Sequence, residues 1–141
     1  MIEEYYVSFE LAKMLKEKGL DEYCSHFYRL DGEHEYCYKA KLPRLTNNDI
    51  RNHDDWVNRV FACTCPTLQM AMTWLRKTHK LYIEFVLNQE VENEEAAIEN
   101  YYFFNVSRLD RIANEGGDCK FYKSYEEAVE AAIKYCLENL I

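Results

Sequence analysis

Cys24, His26 and Cys37 are the residues whose spacing comes closest to a chemical site. Residues 23–30 and 33–40 read as two strands joined by the two-residue turn Asp31-Gly32. In that register position 26 faces 37 and position 24 faces 39, so the two thiols and the imidazole share one face. Zinc asks for four such donors in a structural site, and for three plus water in a catalytic one. A fourth is missing, because Lys39 faces Cys24 and His34 points the other way. Cys63-X-Cys65 is too closely spaced for a zinc knuckle. The sequence therefore assigns no metal and no cofactor, and the grouping reads as partly buried thiols beside a surface histidine.

Nucleophilic catalysis needs a thiol or hydroxyl beside a base, with a third group orienting that base. Cys136 lies on the apolar stripe of a helix, where a cysteine serves as a small core residue. His79 sits near a helix C-terminus, where a cation complements the dipole. His53, Asp54 and Asp55 cluster in a polar stretch upstream of Cys63 and Cys65. A small hydrolase-like enzyme would be built around a Cys or His of this 53–65 region, whereas a solvated turn accounts for the same polar residues. No catalytic or nucleotide-binding motif assembles, and the catalytic residues of any such enzyme stay unknown.

Aromatic placement points to recognition. Tyr101-Tyr102-Phe103-Phe104 puts rings on both faces of one strand. On the first hairpin Tyr28 points away from Phe27, Tyr23, Tyr36 and Tyr38. If helices cover one sheet face, Tyr28, Tyr101 and Phe103 are the rings for the other, and Tyr offers broad contact with a polar tip. Two outcomes fit: a binding face for a protein partner or a second copy of the chain, or burial of the rings beneath the 41–64 segment.

The elements that must position these groups are marked by a repeated grammar. Ser8-Phe9-Glu10-Leu11-Ala12, Thr67-Leu68-Gln69-Met70-Ala71 and Ser124-Tyr125-Glu126-Glu127-Ala128 each set a hydroxyl residue before a large apolar one and reach Ala at the fifth position. A Ser or Thr oxygen accepts from a free N–H of the first turn, and an acid there suits the helix dipole. Helices are predicted over 9–18, 68–79 and 125–140. Their inward residues are Leu11, Ala12 and Leu15; then Leu68, Ala71, Met72 and Leu75; then Tyr125, Ala128, Val129, Ala132, Ile133, Cys136, Leu137 and Leu140. Gly19 reads as the left-handed residue that ends the first helix. Strands are predicted over 81–87, 101–109 and 119–123, with a short one at 5–7. Residues 41–64 read as an ordered loop with a turn of helix, and 89–100 as a solvated acidic loop or a short exposed helix. With no βαβ alternation, the expected fold is α+β: one domain over 1–141, with three helices on one face of a mainly antiparallel sheet of four or five strands.

Size and composition set the outer bounds. The 141 residues make about one domain, 48% of them apolar, with 7 Phe, 12 Tyr and 2 Trp, which argues against disorder. The net charge of −8 repels phosphate backbones, so nucleic-acid binding is disfavoured. The start Met1-Ile2-Glu3-Glu4 is acidic where a signal peptide is basic, and no apolar run suits a membrane. A cytoplasmic protein with all six cysteines free is expected.

The blocks from Tyr6-Val7-Ser8-Phe9-Glu10-Leu11-Ala12 to Gly19, from Pro66-Thr67-Leu68-Gln69 to Trp74-Leu75-Arg76, and from Tyr125-Glu126-Glu127-Ala128 to Leu140-Ile141 carry a resemblance over about half the chain. They resemble a family of small uncharacterised proteins abundant in gut anaerobic bacteria and in their phages and mobile elements. The resemblance implies a bacterial or phage cytoplasmic setting and implies no activity. The resulting expectation is an acidic accessory or interaction protein, with no small-molecule ligand assigned.

Overall fold

A computed structural model describes residues 4–29, 38–39, 44–52 and 61–141. The fold is α+β, and the chain divides into two compact units, Met1–Ala71 and Met72–Ile141.

In the first unit, α1 (Phe9–Glu17) starts where Ser8 Oγ accepts the Leu11 N–H at 3.2 Å. It stops at Gly19, whose φ of +96° is the left-handed cap expected there. The helix buries Leu11, Ala12 and Leu15 and packs on β3. Three short strands, β1 (His26–Arg29), β2 (Tyr38–Lys39) and β3 (Phe61–Thr64), form an antiparallel sheet in the order β2-β1-β3. Between β2 and β3 lies α2 (Asn47–Asn52). Its start is a reciprocal box: Asp49 N–H donates to Thr46 Oγ1 at 3.1 Å, and Thr46 N–H donates to Asp49 Oδ2 at 3.0 Å. Phe27, Leu45, Ile50 and Phe61 make a buried cluster, with the two Phe rings 5.1 Å apart. Each ring in this arrangement both removes apolar area from water and gains a tilted aromatic contact.

The helix α3 (Leu68–His79) contains the division between the units. Thr67 Oγ1 accepts the Met70 N–H at 3.0 Å, as the sequence grammar requires. Leu68, Ala71, Trp74 and Leu75 are buried. Trp74 thus takes a buried place assigned to Met72, which is only half-buried.

In the second unit, β4 (Leu81–Glu90) and β5 (Glu99–Arg108) form a long antiparallel hairpin, and β6 (Asn114–Gly116) adds to β5. The final helix, α4 (Tyr125–Asn139), is capped by Ser124, whose hydroxyl accepts the Glu127 N–H at 3.1 Å. It buries Ala128, Val129, Ala132, Ile133, Cys136 and Leu137 and packs on β4 and β5. Three- and four-residue spacing put these side chains on one stripe, and the hairpin supplies the apolar surface that covers it.

Several expectations need correction. Among the described residues the strands form two three-stranded sheets, not one of four or five, because β1 takes both its neighbours from the first unit. Among the described residues a fourth helix, α2, joins the three expected, and it and β3 each carry part of the 41–64 stretch read as an ordered loop with a turn of helix. Lys39 faces His26, not Cys24, so the hairpin register is shifted by two residues from the one a turn at Asp31-Gly32 would give. That turn itself lies outside the described residues. Residues 119–123 pair with β5 only through a single bridge, Tyr102 to Tyr122. Cys119 sits at φ +60°, which no regular strand accommodates. Residues 5–7 likewise reduce to one bridge, Tyr6 to Thr67. The hairpin also extends into the acidic 89–100 segment, where Gln89 faces Asn100 and Glu90 faces Glu99.

Candidate functional site

Side chains alternate across β4 and β5. One face meets α4: Phe85 and Tyr102 stand edge-on to Tyr125 at 5.1 and 6.1 Å, and Phe104 edge-on to Tyr135 at 5.6 Å. The residues of opposite parity form the other face. There Val86 faces Phe103, Asn88 faces Tyr101, and Tyr82 faces Ser107. Phe121, from the segment before α4, lies edge-on to Phe103 at 5.5 Å. Tyr82 is 48% exposed and Phe121 59%, while Tyr101, Phe103 and Val86 are half-buried. Tyr101 donates its hydroxyl to Glu99 Oε2 at 2.5 Å. That bond, and the negative charge of Glu99, raise the Tyr101 pKa above its ordinary value. The phenol therefore keeps its proton and remains a donor.

Tyr101 and Phe103 thus share a face, as the sequence suggested, and Tyr82, Val86 and Phe121 join them. The added residues were legible only in part: Tyr82 and Val86 follow from strand parity, but nothing in the sequence places Phe121 against Phe103. Tyr28 does not belong with them. It is 4% exposed, its hydroxyl donates to the Val7 carbonyl at 2.5 Å, and its ring meets Phe9 edge-on at 5.1 Å. In its own unit it is a core residue with a satisfied polar tip.

The candidate nucleophiles fare differently. Cys63 is fully buried, and burial pushes its thiol up to about 11. Cys136 is also fully buried and is pushed up to about 12 by the same cause. Both shifts oppose the thiolate that attack requires. Cys65 is held in a disulfide, which corrects the expectation of six free thiols, while Cys24, Cys63, Cys119 and Cys136 are free. Cys37 and the cluster of His53, Asp54 and Asp55 lie outside the described residues. Among the described residues no three of His, Cys, Asp and Glu gather as a metal site. His79 does not act as a cation at its helix end. Its ring packs edge-on to Trp74 at 4.7 Å, its Nε2 is buried without a partner among the described residues, and burial lowers its pKa, which favours the neutral imidazole. No described helix is long and apolar enough to cross a membrane.

No protein-family profile, no curated protein and no solved structure matches this chain.

Proposed function

We propose that this chain is a small accessory protein of a phage or mobile element that binds a protein partner through the aromatic face of the β4–β5 hairpin. The observation that supports this reading is the row formed by Tyr82, Val86, Tyr101, Phe103 and Phe121 on the side of the hairpin away from α4. Aromatic rings carry large contact area with few rotatable bonds, so they lose little entropy on docking. Around them Glu84, Asn88 and Asn105 share the same parity and supply a polar border. That combination of an apolar centre and a polar rim is the anatomy of a recognition surface. The net charge of −8 makes a partner with a basic rim the better match. The resemblance of the three helix-start blocks to small proteins of gut anaerobes and their mobile elements supports the setting. The hydrolase-like alternative is left without a described nucleophile, because Cys63 is buried and Cys65 is in a disulfide.

The test compares proteins retained from a host lysate by the wild-type chain and by a Phe103→Ser, Phe121→Ser variant. A protein held by the first, lost by the second and rebound as a purified component carries the proposal. Identical retention by both chains ends it.

A further inference from the structure

A small cavity of the first unit, about 160 Å³, is lined by Tyr6, Cys24, His26, Cys65, Thr67 and Met70, with Arg44 at its wall. Within it the Cys24 Sγ lies 3.7 Å from the Met70 Sδ. A thiol and a thioether are weak hydrogen-bonding groups, so this contact alone contributes little. The spacing suits two ligands of one ion: metal–sulfur bonds near 2.3 Å at tetrahedral or trigonal angles set the sulfurs about 3.8–4.0 Å apart. His26, the first residue of β1, and Cys24, which pairs with Leu45 in an isolated bridge, both line the cavity. The His26 ring is fixed by Tyr6, with centroids 4.3 Å apart, and by Ser25, whose Oγ is 3.1 Å from Nδ1. A hydroxyl on one ring nitrogen is the contact that orients the other toward a metal.

Donor chemistry selects the ion. Thr64 is fully buried, and among the described residues its Oγ1 has no hydrogen-bond partner of ordinary geometry, so its hydroxyl can donate to a sulfur ligand. A bare thiolate is costly in this setting, but a thiolate bound to a monovalent cation is a neutral pair. Thiolate and thioether are soft donors, and soft donors select Cu(I).

We propose that Cys24 and Met70, with His26 as third ligand, bind one Cu(I) ion. The Cys24 S–H proton passes to solvent as the copper–sulfur bond forms, and copper stays Cu(I), so no electron is transferred. Met70 lies 46 residues from Cys24 in the sequence, so no spacing pattern marks it as a ligand.

The test is anaerobic titration of the full chain with Cu(I) against a chromophoric Cu(I) chelator. It is run in a Cys119→Ser background, because Cys119 is an exposed free thiol. The expected result is one copper per chain, one proton released and new ultraviolet absorption from the copper–thiolate bond. Cys24→Ser should abolish binding. Met70→Leu, which nearly conserves volume and so preserves folding, should weaken it tenfold or more with an unchanged unfolding midpoint. Failure to hold copper against the chelator, equal affinity in Met70→Leu, or zinc(II) bound as tightly as Cu(I) would each overturn the proposal.

Discussion

The side-chain carbonyl of Asn47 accepts the backbone N–H of Thr64 at 2.9 Å, while its amide donates to the Leu20 carbonyl at 2.8 Å. One buried side chain, 6% exposed, thereby ties the first turn of α2 to β3 and to the segment after α1. Replacing it leaves two backbone groups without partners, and each unsatisfied buried group costs about 1–3 kcal/mol. Asn47→Ala should lower the urea midpoint clearly. Arg51→Ala, at an exposed position of the same helix, should stay within about 0.5 kcal/mol. Equal effects from the two would show that Asn47 has no such role.

Ile133 is fully buried at the middle of the α4 stripe, and truncating a buried Ile typically costs about 2–5 kcal/mol. Ile133→Ala should therefore shift chemical unfolding strongly. Glu138→Ala removes only a surface pair with Lys134 at 3.9 Å, worth about 0–1 kcal/mol. A similar midpoint for both variants would contradict the packing of α4.

Thiol reactivity should separate the cysteines by burial. Cys24, Cys63 and Cys136 are buried, Cys119 is exposed, and Cys65 is in a disulfide. A disulfide uses two of the six cysteines, so four thiols remain. Native protein purified without reductant should react rapidly at one thiol, denatured protein at four, and denatured reduced protein at six. Six reactive thiols without reductant would remove the disulfide and restore the expectation drawn from the sequence.

His79 makes stability depend on pH in a predictable direction. Burial lowers its folded-state pKa below the ordinary 6.5, so the unfolded chain takes up the proton more readily than the native one. The neutral imidazole is compatible with the fold above that ordinary value. Stability is then lost as pH falls from about 6.5 through the folded-state pKa. Unfolding midpoints measured at pH 7.5 and 5.5 should fall more for wild type than for His79→Gln. The same slope in both chains would rule out this linkage.

The aromatic face of the hairpin should support weak self-association. A two-fold contact uses one self-complementary patch twice, and apolar burial contributes roughly 25 cal/mol per Å² before association costs. The charge of −8 on each copy opposes it, and salt screens that repulsion. Light scattering should show a mass that rises with protein and salt concentration, and Phe103→Ser should abolish the rise. A single-chain mass under all conditions would exclude the dimer.

What the sequence determined by itself is local. Ser8, Thr67 and Ser124 mark helix starts because a cap needs only a hydroxyl and an N–H three residues on. Gly19 marks a helix end because its backbone conformation is nearly free to glycine alone. The α4 stripe is legible because its period is built into one helix. What tertiary structure decided is which distant segments meet. The partition into two sheets, the two-residue shift that sets His26 against Lys39, and the reduction of 119–123 to one bridge at Tyr122 depend on pairing energies between remote strands. Tyr28 shows the consequence for function. Strand parity alone made its ring a candidate for an open face, yet the Val7 carbonyl and Phe9, brought to it only by folding, make it core. The meeting of Cys24 with Met70, 46 residues apart in sequence, was beyond any spacing rule, because ligand geometry between separate elements exists only once the chain has closed upon itself.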